Sequence, residues 1–350
     1  MSNRRKFIRN IGALTALSFT PFALANSKKD NYSPIQNPKI FPKRLKKGSI
    51  IGLIAPGGPI NKEQLDETIE KVEQLGFKTY YTETVLSEYG YFAGKDKERA
   101  DDLMNMFVNK NVDAILAVRG GYGAIRILDL LDYDLIQQNP KALIGYSDIT
   151  ALLCAIYEQT GLITFHGPVG ISSFNEFSVE SLNKVLVKPK NNYKFPYERE
   201  KETEDNPEFD LYTLNGGIAE GVLMGGNLSV LDSMIGSKFE PDFENTIVYL
   251  EEISEKTYKV DKMLVHLLQA TNLKNAAGIV LGVFKKCNKM EEPRLTLKQA
   301  LADLLKPLNI PISYGFPFGH ITNKITIPTG IMAKLDADKN TLILLEKAVE

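Results

Sequence analysis

The chain has 350 residues, 43% hydrophobic and 24% charged, with 42 Lys and Arg against 43 Asp and Glu. A near-neutral balance with no basic run lacks the electrostatic footprint of a nucleic-acid or anionic-membrane binder, so neither partner is expected. Cys154 and Cys287 are the only cysteines, which excludes a disulfide framework, and no His, Cys or carboxylate cluster has metal-ligand spacing, so no metal or cofactor is expected.

Residues 1–25 read as an export signal. Arg4, Arg5, Lys6 and Arg9 precede an apolar run, Ile11 to Leu24, that is too short and too interrupted by Thr15, Ser18, Thr20 and Pro21 to span a membrane. Ala23-Leu24-Ala25 suits cleavage, and no cysteine follows it to carry a lipid. The string Asn3 to Arg9 resembles a twin-arginine signal, which implies a protein exported folded, to the periplasm. Cleavage removes four positive charges and takes the formal charge from −1 to about −5.

Residues 26–47, with prolines at 34, 38 and 42, read as an extended lead-in. Over 48–172 strand and helix patterns alternate. Ile50 to Ala55, Phe77 to Thr82, Val112 to Val118 and Ala142 to Ile144 are apolar strands, with helical spacing at Leu65, Ile69 and Val72, at Ala100, Leu103, Met104 and Phe107, and from Ile149 onward. Such alternation calls for a parallel sheet with helices on both faces. Residues 173–214 turn polar and charged and read as a linker or surface excursion. Residues 215–350 read as a mixed α/β domain: a strand near Ala219 to Met224, the turn Gly225-Gly226-Asn227, a helix, the strand Ile247 to Leu250 ending in Glu251-Glu252, a helix from Val260 to Ala270, and further short strands.

In open α/β layers, ligands bind beyond the carboxyl ends of the strands. Three loops are expected there: Pro56 to Pro59, Arg119 to Gly123, and Gly145 to Asp148. The last is a strand, a tight turn and a helix with Ser147 at the corner. A serine there projects Oγ past the sheet while the free N–H groups of the helix, including that of Asp148, point at the same spot and suit an oxyanion. An N-cap role for Ser147 or Asp148 fits the same position, and Ile149 stands where a hydrolase-type G-x-S-x-G pattern would close with glycine. The loop Arg119 to Gly123 is not a nucleotide fingerprint; Gly120 or Gly121 instead suits a second oxyanion donor.

A serine nucleophile needs a base, and the chain holds three histidines. His266 falls on a helix among apolar residues and reads as structural. His166 ends a strand, and His320 sits on a glycine-rich loop, where a side chain can face a cleft; His320 is favoured and His166 held in reserve. Glu251 or Glu252 emerges from an apolar strand and can orient the base, and the order Ser, acid, His is a known one.

Together Ile54-Ala55-Pro56, Arg119-Gly120-Gly121-Tyr122-Gly123, Gly145-Tyr146-Ser147-Asp148-Ile149-Thr150, His166-Gly167-Pro168, Gly225-Gly226-Asn227-Leu228, Leu250-Glu251-Glu252 and Gly315-Phe316-Pro317-Phe318-Gly319-His320 resemble the LD-carboxypeptidase family of serine peptidases, which also contains microcin C self-immunity proteins. The resemblance implies a flavodoxin-like N-terminal domain and a mixed α/β C-terminal domain with the active site in the cleft between them. It maps the nucleophile onto Ser147, the acid onto Glu251 and the base onto His320, with Asp148 and Gly120 or Gly121 as oxyanion donors. Substrate contacts are expected from Arg119, Tyr122 and Asn227, with Arg119 a candidate anchor for a terminal carboxylate. The implied substrate is a murein tetrapeptide cleaved between an L-centre and a terminal D-amino acid, and the implied assembly a homodimer. Two other readings stay open: a peptide–nucleotide hydrolase of the self-immunity branch, whose members often stack a Trp on the base where this chain has none, and a non-catalytic muropeptide-binding protein.

Overall fold

The computed structural model describes residues 38–200, 203–288 and 295–350. The expected export signal and most of the lead-in lie outside the described residues.

In chain order, the first half runs β1 (Ile50–Ile54), α1 (Lys62–Gln74), β2 (Lys78–Tyr80), α2 (Asp96–Val108), β3 (Ala114–Ala117), α3 (Tyr133–Gln138), β4 (Ala142–Gly145), α4 (Thr150–Thr160) and β5 (Thr164–His166). Local chemistry explains the borders: Asn61 closes a capping box with Gln64 at the start of α1, and Leu65, Thr68 and Val72 face inward from it. Strands β3 and β4 are buried along their whole length, as a parallel sheet covered on both faces requires.

The second half runs α5 (Glu176–Leu182), β6 (Tyr193–Lys194), β7 (Tyr212–Asn215), β8 (Ile218–Asn227), α6 (Leu228–Met234), β9 (Thr246–Ile253), α7 (Thr257–Ala270), β10 (Gly278–Lys285), α8 (Leu297–Leu305), β11 (Ile312–Phe316), β12 (Ile327–Thr329), β13 (Met332–Asp336) and β14 (Thr341–Leu344). Two sheets result. The first has the order β12-β5-β4-β3-β1-β2, parallel except for β12. Its 2-1-3-4-5 core is the flavodoxin-like order, as expected. The second has the order β6-β14-β13-β8-β9-β10-β11-β7, parallel through β8 to β11 and antiparallel outside.

Three local expectations change. The stretch 173–214, expected to be a linker or surface excursion, holds α5 and both edge strands of the second sheet, β6 and β7. Gly225-Gly226-Asn227 is not a turn, because β8 continues through it in register with Tyr249, Leu250 and Glu251. For the same reason Glu251 and Glu252 lie inside β9 and not at its end.

Helix α4 joins the two sheets. Residues Ala151 to Ile156 all have 0% exposure, so this part of the helix is apolar and buried on every side and packs between β4 and β5 on one face and β8 and α6 on the other. Cys154 is a buried free thiol within it, as expected. This sandwiching brings the N-terminus of α4 to the end of the second sheet.

Candidate active site

Strand β4 leaves the sheet through Gly145 and extended Tyr146, and the chain then turns sharply at Ser147, whose φ is 64°. A left-handed backbone costs a non-glycine residue about 1–2 kcal/mol, which the surrounding packing must enforce. Ser147–Ile149 form one 3₁₀ turn, and α4 follows. A Cβ at Gly145 would stand 2.8 Å from the Ile149 side chain. The bare Gly145 therefore makes room for Ile149, and the turn closes without a second glycine. The capping role is not what is seen: no side chain caps α4, and the Asp148 carboxylate accepts instead from Ala124 N–H at 2.8 Å. Burial raises the Asp148 carboxyl above its ordinary range, against the pull of the Ala124 and Gly123 N–H groups.

The three expected loops do meet at this edge. Gly58 N–H donates to Gly120 O at 2.9 Å, and Ala93 N–H to Gly57 O at 2.9 Å. Buried Arg99 ties the loops from beneath, donating to the carbonyls of Pro56 and Gly123 while paired with Asp96. A Cβ at Gly120 would lie 2.9 Å from Ser147 Cβ and 3.3 Å from Asp148 N, so only glycine lets this backbone close on the serine. The N–H of Asp148 falls in the first helical turn, where no intrahelical acceptor exists. Gly121 has a φ of 94° and backs onto Gly58.

From the second half, His320 arrives on the loop after β11. Its Nε2 is 3.1 Å from Ser147 Oγ and its Nδ1 2.8 Å from Glu251 Oε2. Gly319, with a φ of 102°, passes directly over Glu251; a Cβ there would stand 2.6 Å from Oε2. Glu251 has 0% exposure and also accepts from Asn227 Nδ2 at 3.1 Å. Burial alone would raise its carboxyl, but the charge and hydrogen bond of His320, with the Asn227 hydrogen bond, outweigh that and hold it below the ordinary range. Of the two neighbouring acids, the one on His320 is thus Glu251. Glu252 turns to the N–H groups of Ser229 and Ile253, both at 2.8 Å, and burial raises its carboxyl.

The remaining expected residues are placed differently. Asn227 is 3% exposed, and its side-chain hydrogen bonds are all internal. Its Nδ2 serves Glu251 and Glu252 while its Oδ1 accepts from Ser229 Oγ and Val230 N–H, so it holds the two carboxylates. Its own N–H donates to Thr150 Oγ1 at 3.0 Å, and a Cβ at Gly226 would overlap Thr150 at 2.4 Å. Gly226 thereby docks the N-terminus of α4 against β8, while Gly225 lies bare against the Tyr249 backbone of β9. Arg119 is half-buried and donates to Pro59 O at 3.2 Å. Tyr122 is exposed and stacks on Phe92 at 5.8 Å. His166, the reserve base, is fully buried against the rings of Tyr146, Tyr249 and Phe318. Neither of its nitrogens has a hydrogen bond, and burial pushes its pKa down to about 4, so it is a neutral packing residue. His266 lies apart, exposed on α7 and paired with Asp232 at 2.8 Å.

Two residues were missed. The Tyr146 ring meets the His320 imidazole edge-on at 4.9 Å, and Lys324 Nζ stands 4.7 Å from the centre of the same ring. Lys324 is 5% exposed. The signal was its isolation as the single charge in the run Ile321 to Thr329. Among the described residues there is no cluster able to hold a metal ion and no helix long and apolar enough to cross a membrane.

Known proteins resemble this chain in sequence and fold. Residues 51–167 match the LD-carboxypeptidase N-terminal domain and residues 220–335 the LD-carboxypeptidase C-terminal domain. A probable murein peptide carboxypeptidase of Bacillus subtilis is 36% identical over 87% of this chain and 93% of its own length. The murein tetrapeptide carboxypeptidase of Pseudomonas aeruginosa is 28% identical over 83% and 94%. Among solved structures, the microcin C7 self-immunity protein MccF bound to glutamyl sulfamoyl guanosine superposes with a TM-score of 0.80 at 26% identity, covering 89% of this chain and 99% of that one. The muramoyltetrapeptide carboxypeptidase of Oxalobacter formigenes gives 0.74 at 29%, covering 85% and 99%. With both halves matched in order around one site, the chain belongs to the LD-carboxypeptidase family.

Proposed function

We propose that this carboxypeptidase is a serine peptidase that hydrolyses the amide between an L-centre and the terminal D-amino acid of a murein tetrapeptide, leaving the tripeptide. The observation that carries the reading is the continuous hydrogen-bonded line from Ser147, at a left-handed corner, through His320 to fully buried Glu251. In this reading His320 Nε2 takes the Ser147 proton, and Oγ attacks the scissile carbonyl. Glu251 fixes the proton on Nδ1 and stabilises the imidazolium that forms. The N–H groups of Asp148 and of the Gly120–Gly121 backbone stabilise the developing oxyanion. His320 then returns its proton to the leaving amine, and water, activated by the same imidazole, releases the tripeptide. The twin-arginine-like start supports action outside the cytoplasm, and the family resemblance supports a homodimer, which light scattering tests.

The assay is release of free D-alanine from a disaccharide tetrapeptide. Mature protein is expected to yield tripeptide and D-alanine, and Ser147→Ala to yield neither while keeping its circular dichroism. Equal tripeptide from both proteins rejects the assignment. The TM-score of 0.80 with MccF favours one second reading, cleavage of a peptide–nucleotide conjugate. The absence of Trp from the chain counts against it, and turnover of a glutamyl sulfamoyl nucleoside with no turnover of the tetrapeptide would establish it.

A further inference from the structure

A carboxypeptidase acts only where the leaving residue carries a free carboxylate, so the site needs a cation on the leaving-group side. That side is set by the chemistry. The leaving amine takes its proton from His320, and its carboxylate, one carbon further on, lies toward the His320 loop and away from the oxyanion loop that carries Arg119.

Lys324 stands on that loop, four residues after His320. Its Nζ lies against the Tyr146 ring that also borders the His320 imidazole. Among the described residues no hydrogen bond or ion pair reaches Nζ, although the residue is only 5% exposed. A buried ammonium held by a single cation–π contact is costly unless something of opposite charge completes it. The position is also rigid. Lys324 N–H donates to Ser178 Oγ at 3.0 Å, Thr326 N–H to Ser181 Oγ at 3.0 Å, and the N–H groups of Thr322 and Asn323 to Glu200 Oε1. The charge is therefore set in place before any ligand arrives. Arg119, by contrast, is already bonded to the Pro59 carbonyl.

Resting on the proposed peptidase reading, we infer that Lys324 is the subsite that binds the terminal carboxylate of the leaving D-amino acid and so makes the enzyme an exopeptidase. Tyr146 is the wall that holds base and ammonium at their separation, one at the scissile nitrogen and the other at the chain end.

The test compares a free-acid tetrapeptide with its C-terminal amide. Binding is measured by calorimetry in the Ser147→Ala background, where no turnover is needed, so the result does not depend on whether hydrolysis is seen. The Ser147→Ala protein is expected to prefer the free acid by roughly 10- to 100-fold, the worth of a hydrogen bond between charged groups. Adding Lys324→Met should erase the preference, Lys324→Arg should restore part of it, and adding Arg119→Met should leave the ratio in place. In the otherwise wild-type enzyme, Lys324→Met should raise KM for the free acid far more than it lowers kcat. A preference that survives Lys324→Met, or that disappears with Arg119→Met instead, overturns the inference. So does an equal loss of affinity for both ligands, the mark of a merely structural lysine. Failure of wild-type protein to release D-alanine would sink the peptidase reading but would leave this binding comparison intact.

Discussion

Replacing Glu251 by Gln should disable the enzyme through a proton on the wrong nitrogen, and the surrounding hydrogen bonds say why. Glu251 Oε2 faces His320 Nδ1 at 2.8 Å and Oε1 faces Asn227 Nδ2 at 3.1 Å. Asn227 cannot turn over, because its Oδ1 accepts from Val230 N–H and Ser229 Oγ at the start of α6. Its Nδ2 is a fixed donor. A glutamine at 251 must then put its carbonyl toward Asn227 and its NH₂ toward His320, which makes Nδ1 an acceptor and places the proton on Nε2, against Ser147. The opposite orientation sets two donors face to face, at a cost of about 1–3 kcal/mol, a bias of roughly ten- to a hundredfold toward the unproductive tautomer. Loss of the carboxylate that stabilises the imidazolium adds to this, so kcat/KM should fall roughly 10³- to 10⁴-fold. D-alanine release measures the fall, and the ¹⁵N shifts of His320 report the tautomer. Glu252→Gln, whose partners are backbone N–H groups and Asn227, should lose less than about tenfold. Turnover by Glu251→Gln within tenfold of wild type, or a larger loss at 252 than at 251, would refute the reasoning.

Ser147→Gly should abolish turnover and yet raise stability over Ser147→Ala by about 1 kcal/mol, because glycine accepts a φ of 64° without strain; equal melting temperatures for the two would mean that the corner is relaxed. Gly120→Ala places a methyl 2.9 Å from Ser147 Cβ and should lower kcat at least about a hundredfold through the displaced oxyanion donor, while KM moves little. Burial holds the Lys324 ammonium down to about 8 from an ordinary 10.5, against the opposing pull of Glu251 and Glu200 and with Lys285 alongside. The folded chain thus releases this proton before the unfolded chain does, and the stability tied to it is gained as pH rises from about 8 to 10.5. Urea unfolding should show wild type gaining on Lys324→Met across that window, and a constant difference would argue against a buried, unpaired ammonium.

Apolar period was enough to place nearly every strand and helix of the first half, because a strand covered on both faces and a helix buried on every side leave unbroken hydrophobic signatures, as in β3, β4 and α4. Ser147 and His320 were legible because a strand–turn–helix corner and a glycine-rich loop present side chains in ways that local sequence records, whereas the acid was narrowed only to Glu251 or Glu252 until the family resemblance pointed to Glu251. What local sequence does not record is contact across about 70 to 170 residues. The choice of Glu251 over Glu252 depended on which carboxylate meets a loop arriving from β11. Asn227 became a support for the two carboxylates because β8 runs on through two glycines, Gly225 lying bare against the Tyr249 backbone of β9 and Gly226 against Thr150, a residue of the other half. Lys324 gained its meaning only when Tyr146 packed against it. The chain's own pattern determined which elements form and which residues are chemically able; the meeting of two sheets across α4 decided which of those residues touch, since that depends on tertiary packing, to which local periodicity is blind.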